Sequence, residues 1–161
     1  MVGAALAQRL SVPFLDLDDE FKAGTGDISA YITARGYAAY AERNVHVYWK
    51  LTRELGRRSV LAVSSGFMTY PRGTHSKYAQ CREDIADSAT TFVLLPTLEL
   101  ETCVVEIVRR QMTRPFCRSA AREEAVIRER FASHLALTAR KVTTMRLVDD
   151  VCNDIVAALT A

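Results

Sequence analysis

A chain of 161 residues is long enough for one domain with a single hydrophobic core. Its formal net charge of +2 is close to neutral, which argues against a protein dedicated to binding nucleic acid. No apolar run approaches the roughly 20 residues that a membrane-spanning helix needs, so we expect no membrane association.

The cysteines and the start of the sequence bear on the compartment. The four cysteines are widely spaced and form no C-x-x-C pair: Cys81, Cys103, Cys117 and Cys152. This spacing argues against a zinc site or a disulfide framework and indicates reduced thiols. The apolar start of the chain is interrupted at Gln8 and Arg9, too early for a signal peptide. We therefore expect a cytoplasmic protein.

Helical and strand patterns alternate along the chain. In order, they predict a helix ending at residue 10, a strand over 12–17, helices starting at 18 and at 28, a long helix over 37–55, a strand over 59–63, a helix over 74–86, a strand over 91–95, helices over 98–112 and 123–137, a strand over 143–147 and a helix over 150–159. Asp27 suits the cap of the helix starting at residue 28, and Gly36 suits its end. Strands that alternate with helices predict an α/β fold with a parallel sheet.

Three stretches of sequence carry a resemblance to a known family. They are L-A-Q-R-L-S-V-P-F-L-D-L-D at 6–18, S-V-L-A-V-S-S-G at 59–66, and the dipeptide Arg114-Pro115 after a helix. With the order of elements, they resemble shikimate kinase, a small P-loop kinase of the nucleoside-monophosphate-kinase type. That family transfers the terminal phosphate of ATP to the 3-hydroxyl of shikimate, with Mg²⁺. The resemblance covers nearly the whole chain. It implies a three-layer fold, a parallel sheet flanked by helices, in one domain over 1–161 with a lid around 109–122.

The family's phosphate-binding loop has no counterpart in these residues. In the family, a loop ending in Gly-Lys-Ser/Thr directly precedes the segment that matches 2–7, and no G-x-x-x-x-G-K-[ST] occurs here. The strand before that loop lies in the middle of the family's sheet, whose strand order is 2-3-1-4-5. We therefore expect a fold without its first strand and phosphate loop, in which two strand edges lack a partner. We favour a start codon assigned too late, or a cropped sequence; an evolved loss is the alternative.

Two acids after the first predicted strand match the family's D-x-D motif. The resemblance implies that Asp16 helps to hold Mg²⁺ through water, and that Asp18 meets the substrate hydroxyl as its base or orienter. A structural alternative remains open, in which Asp18 and Asp19 cap the following helix and favour its dipole.

The family's substrate arginine is absent. The family pattern G-E-x-x-F-R-x-x-E falls on 36–44, where Tyr40 keeps the aromatic residue, Ala41 replaces the arginine and Asn44 replaces the final glutamate. A methyl group cannot make the bidentate pair that selects a carboxylate. Arg43 lies about 200° around the helix from position 41, so we interpret it as a surface residue. Shikimate itself is therefore in doubt as the substrate.

Small residues follow the predicted strand over 59–63. The family has three glycines here that contact substrate through backbone N–H groups, whereas this chain has Ser64, Ser65 and Gly66. Two hydroxyls could bind a differently shaped polyol or a phosphate. A plain turn at a strand end is the alternative.

Basic residues cluster near the predicted lid. Arg114 matches the family's lid arginine, which reaches over the ATP phosphates and stabilises their charge during transfer, and Arg109 and Arg110 make the same region basic. The alternative is a solvated basic face. The family's second substrate arginine falls near His134, which is otherwise interpreted as an ordinary surface or capping residue.

These observations lead to three hypotheses. The first is phosphorylation of shikimate, or of a related small hydroxy acid or polyol, by a monomeric Mg-ATP-dependent kinase. The second is a kinase of the same fold with a changed substrate. The third is a non-catalytic binding or regulatory protein that retains the pocket without the phosphate loop. None of the three involves nucleic acid or a membrane.

Overall fold

The protein is described here by a computed structural model that covers residues 2–54, 58–113 and 119–160. They divide into two compact units, Met1–Ile85 and Ala86–Ala161. The elements of the first unit are α1 (Val2–Leu10), β1 (Phe14–Asp16), α2 (Leu17–Thr25), α3 (Ile28–Glu54), β2 (Val60–Ala62), a short 3₁₀ turn (Phe67–Thr69) and α4 (Tyr78–Asp87), whose last two residues belong to the second unit.

Side-chain caps and one glycine set the helix ends in the first unit. The Oδ1 atom of Asp27 accepts a hydrogen bond of 2.8 Å from the N–H of Ala30, which confirms Asp27 as the cap of α3. Gly36 interrupts α3 with φ of 83° and ψ of 162°. A residue with a β-carbon would be strained in this conformation, so the predicted helix end at Gly36 is a kink between two helical segments.

The strands of the first unit form a parallel pair. β1 runs alongside β2, with Phe14 opposite Val60 and Asp16 opposite Ala62. Helix α1 lies close to this pair, because a β-carbon at Gly3 would come within 2.5 Å of the Phe14 ring. The pair therefore presents the carboxyl ends of both strands at one edge.

Aromatic residues dominate the core of the first unit. Leu17, Phe21, Val45 and Phe67 are fully buried, and Tyr78 is 1% exposed. The Tyr78 hydroxyl donates a hydrogen bond of 2.7 Å to the backbone oxygen of Phe67, so its polar end is satisfied inside the core. Burying these side chains holds α2, α3 and α4 around the strand pair.

The second unit pairs helices with a second parallel strand pair. Its elements are β3 (Phe92–Leu95), α5 (Leu100–Met112), α6 (Ala120–Ala136), β4 (Arg140–Thr143) and α7 (Val148–Thr160). β3 runs parallel to β4, with Phe92 opposite Arg140 and Leu95 opposite Thr143. Leu95, Cys103 and Phe131 form an apolar core cluster, which packs α5 and α6 against β3.

The predicted position of the last strand was wrong. The sequence pattern placed it over 143–147, whereas β4 spans Arg140–Thr143. Met145 and Leu147, which made the later segment look like a strand, are 55% and 73% exposed. Pairing with β3, and burial of Val142, decide the register instead of the apolar pattern.

Within the described residues each strand has one partner, in the pairs β1–β2 and β3–β4. This is the pairing that the family's strand order gives when its first strand is left out. Cys81, Cys103 and Cys152 are buried and take part in no disulfide among the described residues, and Cys117 lies outside those residues. Across 2–54, 58–113 and 119–160 no helix combines the length and apolar character needed to cross a bilayer.

Candidate functional site

Polar side chains gather where the strands of the first unit end. Asp16 is the last residue of β1, and Ser64 follows β2 by two residues. Because the strands are parallel, both residues lie at the carboxyl edge of the pair. This edge is where ligands of open α/β sheets bind.

Asp16 caps helix α2. Its Oδ1 atom accepts hydrogen bonds of 2.9 Å from the N–H of Asp18 and 3.4 Å from the N–H of Asp19. The capping role considered for Asp18 and Asp19 is therefore filled by Asp16. The same carboxylate also suits Mg²⁺, which takes one or two protein carboxylates and keeps several waters. Among the described residues no group of three or more His, Cys, Asp or Glu side chains could enclose a metal by itself.

Asp18 lies on the first turn of α2 and is half-buried. Burial raises the pKa of its carboxyl, and the neighbouring Asp16 raises that pKa further. The Tyr40 hydroxyl, which bonds to the Asp18 carboxylate, lowers the pKa and offsets part of this rise. The Oδ1 atom of Asp18 is shielded from solvent and has no hydrogen-bond partner in the described residues. It is therefore a buried acceptor without a partner in the described part of the chain, on a residue that is itself partly exposed.

A fully buried amide connects the carboxyl edge to helix α3. The Nδ2 atom of Asn44 lies 2.9 Å from the Tyr70 hydroxyl, 3.3 Å from the Ser64 hydroxyl and 3.4 Å from the Tyr40 hydroxyl. We call Tyr40, Asn44, Ser64 and Tyr70 the amide–hydroxyl cluster. Burial raises the pKa of both tyrosines, so their hydroxyls stay protonated at neutral pH. Asp18 joins the cluster through Tyr40.

Tyr37 forms an aromatic wall beside this cluster. Its ring lies 5.7 Å from the Tyr40 ring and 6.1 Å from the Tyr70 ring. Tyr37 is 41% exposed, whereas Tyr40 and Tyr70 are 7% and 4% exposed. The cluster therefore reaches the surface at Asp18, at Ser64 and along the Tyr37 ring.

Position 41 contributes no charge to this region. Ala41 is 1% exposed and lies on the same helix as Asn44. Arg43, which was expected at the surface, is half-buried, and its Nε atom is shielded without a hydrogen-bond partner in the described residues. Its side chain lines a cavity of about 350 Å³ formed by α2 and α3, together with Glu20 and His46. Arg43 therefore does not take the place of an arginine at position 41.

Ser65 and Gly66 complete the turn after β2. Ser65 is exposed and Gly66 is buried, and the Gly66 backbone oxygen accepts a hydrogen bond of 2.9 Å from the Thr69 hydroxyl. The backbone oxygen of Ser64 accepts a hydrogen bond of 2.9 Å from the N–H of Phe67. The segment is thus a turn, as the structural alternative proposed, and it also directs the Ser64 hydroxyl into the cluster.

The two arginines at the end of α5 pair with one acid. Arg109 contacts Glu106 at 2.8 Å and Arg110 contacts it at 2.6 Å. These two guanidinium groups lower the pKa of Glu106 to about 2. Both arginines are exposed at the end of α5, which leaves them accessible to phosphate groups. Arg114 lies outside the described residues, as does part of the predicted lid.

His134 lies on a different part of the second unit from these arginines. It is half-buried near the end of α6. Arg128 of α6 contacts Glu101, at the start of α5, through two hydrogen bonds of 2.7 Å, and the two helices form an antiparallel hairpin. With a rise of 1.5 Å per residue, this arrangement separates His134 from Arg109 by about 20 Å along the hairpin. These two predicted contacts therefore do not form one cluster.

Tyr70 is the member of the site that the sequence did not indicate. It follows the 3₁₀ turn and lies 26 positions from Asn44, to which it makes the shortest bond of the cluster. Asn44 was identified only as a replaced glutamate. An aromatic residue soon after the Ser-Ser-Gly turn was the available signal, but nothing in its spacing connects it to α3.

Comparisons with known proteins identify the family and the fold. The family model for shikimate kinase matches residues 1–160. The crystal structure of shikimate kinase from Aquifex aeolicus superimposes with a TM-score of 0.67 and 17% sequence identity, over 99% of this chain and 88% of that one. No curated protein matches the sequence. The fold is therefore α/β with parallel strands, of the P-loop kinase type, and the chain belongs to the shikimate kinase family.

Proposed function

We propose that the protein acts as a small-molecule kinase, which transfers the terminal phosphate of ATP to a hydroxyl of shikimate or of a related small hydroxy acid or polyol. The observation that carries this proposal is the Asp18 carboxylate. It is half-buried at the carboxyl edge of a parallel strand pair, its pKa is raised, and one of its oxygens lacks a partner in the described residues. A perturbed acid in this position is typical of a catalytic site.

Asp18 is the proposed base or orienter of the acceptor hydroxyl. The hydroxyl oxygen attacks the terminal phosphorus, the bond from that phosphorus to the oxygen of ADP breaks, and the hydroxyl proton passes to the Asp18 carboxylate. A raised pKa suits this step, because a base acts best when its pKa lies closer to the working pH.

The remaining site residues are proposed to orient the two substrates. Asp16 would hold Mg²⁺ through water, and the ion would neutralise charge on the phosphates. The exposed guanidinium groups of Arg109 and Arg110, with Arg114, would contact the ATP phosphates. The acceptor would contact the turn of Ser64, Ser65 and Gly66, and also His134.

The proposal requires a phosphate-binding loop, which these 161 residues do not contain. The experiment therefore uses two proteins: the chain as it stands, and the product of the same reading frame with its upstream in-frame codons. Each is assayed for ADP production with Mg-ATP and a panel of small polyols and hydroxy acids, including shikimate. Acceptor-dependent ADP production by the longer protein supports the proposal.

A non-catalytic role is the alternative outcome. If a stop codon lies directly upstream, and the chain binds small polyols without transferring phosphate to any of them, the protein is a binding protein. If the longer protein carries the loop, folds, and releases no ADP with any acceptor, the kinase proposal is wrong.

A further inference from the structure

The amide–hydroxyl cluster contains only uncharged groups. Asn44 is fully buried, and its Nδ2 atom faces three hydroxyl oxygens within 3.4 Å. The one charged group joined to this cluster is the Asp18 carboxylate, which is negative. In a family that binds an acidic substrate, this cluster has no positively charged group that could pair with a carboxylate.

Two hydrogen-bond acceptors of this region lack partners in the described part of the chain, as does one donor, the Nε atom of Arg43, whose side chain lines the cavity formed by α2 and α3. The acceptors are the Oδ1 atom of Asp18 and the Oδ1 atom of Asn44, each shielded from solvent and unbonded within the described residues. Leaving a buried acceptor unsatisfied is unfavourable, so a hydrogen-bond donor that reaches either atom would be favoured. Hydroxyl groups can donate, whereas an ionised carboxylate can only accept.

The cations next to Asp18 and Asn44 on α2 and α3 are Lys22 and Arg43. Lys22 lies 2.5 Å from Asp19, on the exposed side of α2. Arg43 lines the cavity formed by α2 and α3, and Ala41 is an alanine where the family pattern has arginine. Among the described residues of the first unit, an acidic ligand at Asp18 would therefore meet like charge that Lys22, paired with Asp19, offsets only in part.

An apolar surface completes the site. The exposed Tyr37 ring lies against the rings of Tyr40 and Tyr70, and the Tyr40 hydroxyl bonds to the half-buried Asp18. A flat aromatic face with a few polar groups at its edge suits a ring that carries hydroxyls on its rim. The C–H face of such a ring can pack on Tyr37 while its hydroxyls reach Asp18 and Ser64.

We infer that the acceptor is an uncharged cyclic polyol, and that Asn44 determines this specificity by orienting the hydroxyls of Tyr40, Ser64 and Tyr70. The inference rests on the proposed function, because it names the substrate class of the same site. Hydroxyls of the polyol donate to the Asp18 carboxylate, and the neutral cluster excludes the carboxylate that the family's arginine would bind.

A matched pair of ligands tests this inference without ATP. Shikimate and its uncharged counterpart, in which a hydroxymethyl group replaces the carboxylate, are titrated into the chain by isothermal calorimetry. We expect the uncharged ligand to bind at least about tenfold more tightly, since removing a like charge and gaining a donor each contribute. Tighter binding of shikimate, or no saturable binding of either ligand, would overturn the inference.

Variants show whether Asn44 sets the preference. In Asn44→Leu the amide is lost at similar volume, and we expect the ratio of the two affinities to fall toward one. In Arg43→Ala, a change on the neighbouring position that lines a different cavity, we expect the ratio to be unchanged. A ratio is not altered by a general loss of stability. If Asn44→Leu does not fold, the ratio of the two affinities in the wild type still tests whether the site prefers the uncharged ligand.

The outcomes distinguish this inference from the kinase proposal. If the chain prefers the uncharged ligand but the loop-containing protein transfers no phosphate, the kinase proposal is wrong and the inferred binding specificity stands. If the chain prefers shikimate and the loop-containing protein transfers phosphate, the inferred specificity is wrong and the kinase proposal stands.

Discussion

The two units of the molecule differ in how deeply their polar groups are buried. In the first unit, the polar residues at the strand ends are buried or half-buried, and burial raises the pKa of Asp18. In the second unit, the polar residues form exposed ion pairs on helices, and two arginines lower the pKa of Glu106 to about 2. The apolar core of that unit, around Leu95, Cys103 and Phe131, contains no such polar group.

This contrast supports the proposed division of roles between the two units. A buried polar network is unfavourable unless a ligand or a neighbouring group satisfies it, so its retention points to function. Exposed ion pairs contribute little to stability and can exchange one anion for another. Under the proposed function, the first unit would select the acceptor, and Arg109 and Arg110 of the second unit would supply charge without selectivity.

The largest expected effect comes from the acid of the first unit. In the loop-containing protein, we expect Asp18→Asn to lower kcat by about 10²–10⁴-fold, the range for losing a general base. Asp19→Asn is the matched control, since its carboxylate is exposed and pairs with Lys22, and its kcat should stay within about twofold. Steady-state ADP release measures both. Equal losses in the two variants would contradict the role given to Asp18.

The next largest effect is expected in the apolar core of the second unit. Phe131 is 7% exposed and packs in the cluster with Leu95 and Cys103. We expect Phe131→Ala to lower the free energy of unfolding by about 3–5 kcal/mol, through lost burial and a residual cavity. Val105→Ala on α5, a site that is 68% exposed, should change it by less than about 0.5 kcal/mol. Urea unfolding distinguishes the two; similar values would show that the core is misassigned.

A smaller effect comes from one hydroxyl of the cluster. Tyr70→Phe removes the shortest bond of the Asn44 amide, at 2.9 Å, and keeps the ring. We expect a loss of about 1 kcal/mol in the free energy of unfolding, the usual contribution of one such bond. Tyr37→Phe is the control, because the ring of Tyr37 is exposed and its loss of a hydroxyl should have almost no effect. If the Tyr70→Phe variant is as stable as the wild type, the hydrogen bonds of the amide–hydroxyl cluster do not stabilise the fold.

The raised pKa of Asp18 should make the folded state less stable as the pH rises through that pKa. The folded state binds a proton at Asp18 more readily than the unfolded state, whose value is near 3.8. Ionised Asp18 therefore destabilises the folded state at neutral pH, and this penalty declines as the pH falls through its raised pKa. We expect Asp18→Asn to melt at a higher temperature than the wild type at pH 7, with a difference that shrinks toward pH 4. A difference that grows on acidification would contradict the buried, raised carboxyl.

The smallest effect belongs to the surface of the second unit. Arg128 contacts Glu101 at 2.7 Å and Glu124 at 2.9 Å, in an exposed network. We expect Arg128→Ala to lower the melting temperature by less than about 2 °C, and the difference to vanish in about 1 M salt. Thermal unfolding at low and high salt measures it. A large, salt-independent loss would mean that this network is as buried as the one in the first unit.

Much of the local structure follows from the sequence. The caps and breaks at Asp27 and Gly36, and the apolar runs at β2 and β3, were predicted because they depend on residues within a few positions. The last strand was placed wrongly, since its residues are chosen by pairing with β3 rather than by their own apolar pattern. The motif identified Asp16 and Asp18. It did not indicate that Asp16 caps α2 or that Asp18 has a buried oxygen without a partner in the described residues.

The sequence by itself determined the family, the order of helices and strands, and the loss of the arginine at position 41. Only the tertiary structure decided that Tyr70 and Ser64 meet the amide of Asn44, and that Asp18 is buried beside them. The physical reason is distance along the chain. Motifs and caps arise from neighbouring residues, whereas burial, pKa and hydrogen bonding between α3 and the end of β2 arise only when the first unit packs.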